Sequence, residues 1–143
     1  MLSTTCKYAI RAVVYVSVFS TQQKKIGLKE ISSELGIPSP FLGKILQTLA
    51  RNGILISSKG PHGGFCLGRP AEEISLMDIV EIIDGTELFN QCLVRTVHCS
   101  AKEPCGVHDQ YMKIRKDLQN FFVHQTIDDL STEFRRDSKR IRI

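Results

Sequence analysis

Residues Leu28–Leu67 read LKEISSELGIPSPFLGKILQTLARNGILISSKGPHGGFCL, and their pattern decides the fold. Leu28, Ile31 and Leu35 recur at helical spacing and predict a short amphipathic helix. Gly36 ends it, because a tight turn needs the left-handed backbone that glycine adopts without cost. Ser39 is expected to cap a second helix, with Pro40 at its first position, where a missing N–H is harmless. Leu42, Ile45, Leu46 and Leu49 form the inner face of that helix, and Gly53 stops it. Ile54–Ile56 and Phe65–Leu67 are short apolar runs that predict two strands, joined by the glycine-rich, basic tip 57–64. Helix, tight turn, helix and hairpin is the order of a winged helix-turn-helix, so the fold class is mostly α with a small β-hairpin wing.

Charge agrees with this order. No Asp or Glu occurs between Leu35 and Ala71, while Lys44, Arg51, Lys59 and Arg69 all do. The second helix turns Gly43, Lys44, Gln47, Thr48 and Arg51 away from its apolar face. Cations suit phosphates, and amides or guanidinium groups suit base edges. The candidate contacts to double-stranded DNA are Ser39, Pro40, Phe41, Gly43, Lys44, Gln47 and Arg51 on the helix. Lys59, Gly60, Pro61, His62 and Gly63 are the candidates in the wing. Behind this span comes an acidic block, Glu72, Glu73, Asp78, Glu81, Asp84 and Glu87, which gives a net charge of only +4 a direction.

Working outward, Ser3–Ser20 is predicted as a helix whose Ala9, Ile10, Val13, Val14 and Val18 pack on the helix-turn-helix. Its β-branched residues are weak helix formers, so packing must hold it. The run Ala12–Phe19 is too short to span a bilayer and lacks a cleavage site, so we expect a cytoplasmic protein with no membrane partner. Ser75 with Asp78 marks the start of another helix, stopped at Gly85. Residues 1–85 are therefore read as the DNA-binding domain and 86–143 as a cysteine loop, a dimerisation helix and a basic tail. The helix is expected over Val107–His124 from the pattern Met112, Ile114, Arg115, Leu118, Phe121 and Phe122, and its wide apolar side is one that a second copy of the chain would cover. Thr126 caps a last short helix through Phe134.

Five cysteines are an odd number for a closed disulfide framework. Three of them, with a histidine, lie close together as Cys92-x6-Cys99-x5-Cys105-x2-His108. Thiolates select zinc, copper(I) or iron–sulfur centres. Zinc sites pair cysteines at gaps of two to four, so gaps of six and five suit an iron–sulfur cluster better. His98 reads as solvated and Cys66 as core, while Cys6 is placed early enough on the first helix to approach a cluster held by another subunit.

These constellations together resemble the bacterial Rrf-type winged-helix regulators, the IscR-, NsrR- and CymR-like family. The motifs are Lys7-Tyr8-Ala9-Ile10-Arg11-Ala12, Leu35-Gly36-Ile37-Pro38, Leu49–Leu55 and the wing Lys59-Gly60-Pro61-His62-Gly63-Gly64-Phe65. The resemblance covers nearly the whole chain. It implies a homodimer on a palindromic operator, with the recognition helix in the major groove and the wing in the minor groove. It also implies a cluster held by three cysteines that sets DNA affinity. His108 matches the histidine of members with a 2Fe–2S cluster. Lys7 stands where 4Fe–4S nitric-oxide sensors carry an aspartate ligand, which favours 2Fe–2S over the alternative 4Fe–4S. The gap after Cys92 is one residue longer than usual in the family, and Gly43 replaces an acidic base reader of some members. The expected function is an iron–sulfur-controlled transcriptional regulator and not an enzyme. The alternative is a cluster-free repressor that responds through a thiol or a protein partner.

Overall fold

The computed structural model describes residues 1–137, so the part of the basic tail beyond Asp137 lies outside the described residues. Among the described residues, seven α-helices and one hairpin occur in the order α1 (Thr4–Phe19), α2 (Leu28–Leu35), α3 (Ser39–Arg51), β1 (Leu55–Ser58), β2 (Gly64–Leu67), α4 (Leu76–Ile83), α5 (Glu87–Asn90), α6 (His108–His124) and α7 (Ile127–Arg136). A winged helix-turn-helix is thus present, mostly helical with a two-stranded antiparallel wing.

The helix α1 is the centre of the core. Ser3 caps it, accepting from the Cys6 N–H, and the Ser3 N–H and hydroxyl both donate to Asp84 at the end of α4. Ala9, Ala12, Val13 and Val16 are fully buried, so contacts on several sides of α1 offset the low helix propensity of its valines. Gly36 takes φ +65° between α2 and α3, and Arg11 of α1 donates to the Leu35 carbonyl at that corner. The inner faces of α2 and α3 bury Ile31, Leu35, Leu42, Ile45, Leu46 and Leu49, as their spacing predicts.

Two local expectations differ. Ser39 is not the cap of α3: Pro38 occupies that position, its carbonyl accepting from Leu42 N–H. Pro38 has an extended backbone there, which places Ser39 and Pro40 inside the first turn. The Ser39 hydroxyl donates instead to Ser32 of α2. The first strand begins at Leu55 and runs on to Ser58, pairing with Gly64, because a ladder is made by backbone groups whether or not the side chains are apolar.

The wing is fixed at its base. Ile26 N–H donates to Phe65 O and Phe65 N–H returns to Ile26 O, at 3.0 and 2.8 Å. Gly64 sits at φ +135°, and a Cβ there would lie 2.5 Å from the Ile26 carbonyl oxygen, so only glycine permits this approach.

The C-terminal half returns to the first. Capping boxes start α4 at Ser75 and Asp78 and α7 at Thr126 and Asp129. The Thr126 N–H and hydroxyl both donate to the Asp129 carboxylate, which holds that carboxyl below its ordinary range. The helix α6 packs on α4, and α7 packs on α1, where the Ser131 hydroxyl meets Ser17 at 2.9 Å. On α6, Phe122 is buried and Leu118 is partly covered by the core, whereas Ile114 is 63% and Phe121 54% exposed. Among the described residues, no helix is long and apolar enough to cross a membrane.

Candidate DNA-contact surface and cysteine loop

The outer face of α3 presents Phe41, Lys44, Gln47 and Arg51 to solvent, with Gly43 between them half-buried near Leu28. Phe41 is braced edge-on by Tyr8 of α1, their ring centres 5.9 Å apart. Thr48 donates back to the Lys44 carbonyl and accepts from Arg51, so the polar groups of this face are already ordered. No side chain caps α3, which leaves first-turn N–H groups beside Ser39 and Phe41 for an anion. Pro40, Lys59, Gly60, Pro61 and His62 are exposed, at the start of α3 and on the wing tip. The wing turn is closed by Gly63 N–H donating to Gly60 O, and a Cβ on Gly63 would collide with the Ser58 carbonyl. Three cations and a column of backbone donors lie here without an acidic side chain, an arrangement that suits phosphates.

The second constellation is the segment between α5 and α6. Cys99 N–H donates to Asn90 O and Cys92 N–H to Val97 O, pinching residues 90–99 into a small hairpin. Arg95 and Glu103 form an ion pair at 3.4 Å across the rest of the loop. Leu93, Val94 and Val97 stand out in solvent at its tip. Cys92, Cys99 and Cys105 are half-buried, and His108 is buried at the first turn of α6. Of the four side chains, Cys99 and His108 meet, Cys99 Sγ lying 3.1 Å from His108 Nδ1, while Cys92 and Cys105 stand on the same loop. Among the described residues, no three such side chains are gathered as ligands of a single ion. The Cys92 thiol is held below its ordinary pKa by the backbone N–H groups of Val94 and then Arg95, with Cys105 and the Arg95 charge acting the same way.

The remaining cysteines are not free for this site. Cys66 is buried in the wing strand, as expected, and His98 is exposed. Cys6 is fully buried on the inner side of α1, so the expectation that it approaches a second subunit's cluster is not met. Burial, and then the Asp84 carboxylate, push its thiol up from 9.0 to about 12. A group whose folded pKa is raised favours folding below its unfolded pKa and loses that contribution as pH rises towards the folded value. Denaturant titrations should therefore show stability falling between pH 9 and 12, with the Cys6→Ala variant falling less steeply over the same range. Equal slopes for the two proteins would contradict the assignment.

Sequence reasoning placed Arg115 in the pattern of α6 and gave it no function. It sits among the apolar positions of α6 and is 9% exposed, its guanidinium donating to the Gln91 carbonyl beside Cys92 and touching the Met112 sulfur. The signal in the sequence was a lone arginine on the inward stripe of an amphipathic helix.

The chain was compared with family profiles, curated proteins and solved structures. The profile of the Rrf2 family, described as iron-dependent transcriptional regulators, matches residues 2–133. An HTH-type transcriptional regulator of Aquifex aeolicus is 33% identical over 132 residues, covering 91% of this chain and 90% of its own. The transcriptional regulator IscR of Pectobacterium carotovorum is 28% identical over 129 residues, covering 90% and 77%. Among solved structures, CymR, the global cysteine regulator of B. subtilis, superposes with TM-score 0.78 at 20% identity, covering 93% of this chain and 97% of that one. IscR of T. potens superposes with TM-score 0.71 at 20% identity, covering 93% and 87%.

Proposed function

The chain belongs to the Rrf2 family of transcriptional regulators, and from that premise we propose that it is a cytoplasmic homodimer whose hold on a palindromic operator is set by an iron–sulfur cluster. It is a regulator of transcription and not an enzyme. In this reading residues 1–85 bind DNA and residues 86–143 control them.

One observation carries the cluster: Cys99 Sγ stands 3.1 Å from His108 Nδ1 at the start of α6, with Cys92 and Cys105 on the same loop. Each iron of a binuclear centre takes two protein ligands, so one cysteine–histidine pair with two further cysteines on the same loop is a donor set that fits 2Fe–2S. Soft sulfur donors and one imidazole are the donor chemistry such a centre takes. The four side chains would hold it, and it would supply a state that depends on iron supply or oxidant. What the chain itself contributes is the connection. His108 opens α6, and α6 carries the exposed Ile114–Phe121 stripe through which a second copy would pair. A change at the loop therefore acts at the root of the dimer helix and alters the spacing of the two α3 helices, a local event biasing a two-state element.

The test is a visible spectrum of anaerobically purified protein, read beside an operator-binding titration. Colour that disappears with oxidant, together with a change in DNA affinity, is expected. A colourless protein that still binds DNA would favour the second reading, a cluster-free thiol- or partner-responsive repressor. The lowered pKa of Cys92 supports that reading too, because a thiolate is the reactive form.

DNA contact has its own tests. Lys59→Ala should weaken binding to all duplexes and reduce the slope of log affinity against log salt by about 1, one phosphate's worth. An unchanged slope would take the wing out of the interface. Gln47→Ala should cost about 1–3 kcal/mol at one operator position and relax preference there, while Lys44→Ala tests the neighbouring reader in the same competition assay.

A further inference from the structure

A cleft of about 470 Å³ opens between α5 and the flank of α6. It is lined by Lys113, Arg115, Lys116 and Gln119, with Phe89 and Met112 as its apolar side, and no acidic residue borders it. Arg115 is 9% exposed, and no carboxylate pairs with it among the described residues. Its guanidinium rests on neutral groups only: the Gln91 carbonyl at 3.4 Å, the Met112 sulfur and the Tyr111 ring, 5.7 Å from its centre. A buried guanidinium is normally matched by an anion, because removing the charge from water is costly and neutral acceptors recover little of that cost. Lys113 and Lys116 add two further charges at the rim, also without ion-pair partners among the described residues.

We infer that this cleft binds a small organic anion, a carboxylate or phosphate bearing an apolar group, with Arg115 as its deep anchor. The volume suits a small molecule. A bidentate carboxylate or phosphate makes charge-assisted bonds, which outcompete the long 3.4 Å contact to Gln91 O. Binding therefore withdraws the guanidinium from the residue that precedes Cys92 and loosens the base of the cysteine loop. By reciprocity, a loop held tightly from the other side disfavours the anion. At about 100° per residue, Lys116 and Gln119 lie some 140–160° around α6 from Phe121, so pairing of two copies through the Ile114–Phe121 stripe leaves the cleft open. The consequence for the loop rests on the proposed function, but occupancy of the cleft does not, since it needs no metal.

The experiment is a heteronuclear NMR titration of the full-length, metal-free protein with inorganic phosphate and with benzoate, chloride serving as the control at equal ionic strength. Saturable shifts are expected at Lys113, Arg115, Lys116 and Gln119, together with shifts of the Gln91 and Cys92 amides. Benzoate, with its apolar ring against Phe89 and Met112, is expected to bind more tightly than phosphate. The double variant Lys113→Gln/Lys116→Gln keeps the fold and should weaken binding at least tenfold, and Arg115→Met, where it folds, should abolish it. Linear shifts shared with chloride would overturn the site. So would saturable shifts confined to α3 and the wing. Unmoved Gln91 and Cys92 amides would overturn the effect on the loop. If the lysine double variant lowers the salt slope of operator binding by about 2, the cleft is a DNA-phosphate contact and the inference fails.

Discussion

Cys99→Ala protein purified without oxygen is expected to be colourless, yet still a folded dimer. Cys99 pairs with His108 at 3.1 Å, so its loss strips one of two protein donors from one end of the proposed centre. The thiolate cannot be replaced from nearby, because Cys6 is fully buried within α1 and Cys66 lies in the wing. The fold should survive for a separate reason. The loop's apolar tip, Leu93, Val94 and Val97, is solvent-exposed and gives the core nothing to lose. Circular dichroism and sizing should match the parent protein while the visible absorption vanishes. Cys92→Ala and Cys105→Ala should behave alike. His108→Cys should keep colour with an altered spectrum, since the donor changes from nitrogen to sulfur, and His108→Ala should make the colour labile. Full colour in Cys99→Ala would remove the residue from the ligand set.

Phe121→Asp should convert the dimer to monomers and abolish cooperative operator binding. Phe121 is 54% exposed on α6, and Ile114, two turns earlier on the same stripe, is 63% exposed. Covering a phenylalanine is worth about 1.5–3 kcal/mol, and a two-fold interface contains every contact twice. An aspartate on the stripe adds the cost of desolvating a charge on each side. With about 1.4 kcal/mol for each tenfold, the dimer constant should weaken by about three to four orders of magnitude. Leu118 is a poorer probe, because it packs partly against the protomer's own core and its replacement also disturbs the fold. Sedimentation at micromolar concentration decides the matter, and an unchanged dimer would move the interface elsewhere on the surface.

What the sequence made readable is local chemistry. Gly36 at φ +65° and the 3–4 spacing of Leu42, Ile45, Leu46 and Leu49 act within a few residues, so the helix-turn-helix could be drawn before any coordinates. The boxes at Ser75 and Thr126 are equally short-range. Ser39 was misplaced because Pro38 and Ser39 both suit the start of a helix, and the choice depended on Ser32, seven residues away. The docking of α7 on α1, the contact of Cys99 with His108 and the burial of Arg115 were not legible. Amphipathic periodicity says that a face is covered and is silent on what covers it. The candidate DNA-contact residues were read from charge and helical spacing; Pro40, Phe41, Lys44, Gln47, Arg51 and the wing tip Lys59–His62 are exposed, whereas Ser39, Gly43 and Gly63 are half-buried.

Ser17 and Ser131 touch although 114 residues separate them. That contact has a meaning for the chain as it is made. The first helix is rich in valines that do not hold a helix by themselves, and the segment that covers it is translated more than a hundred residues later. Closing so long a loop is slow compared with forming the local helix-turn-helix. During synthesis the nascent chain passes through a stage in which its reading head is formed and one side of its central helix is bare. A stop before Thr126 would fix the chain at that stage, exposing the Tyr15–Phe19 flank that Phe134 otherwise shields, and would yield a protein prone to aggregate rather than a shorter regulator.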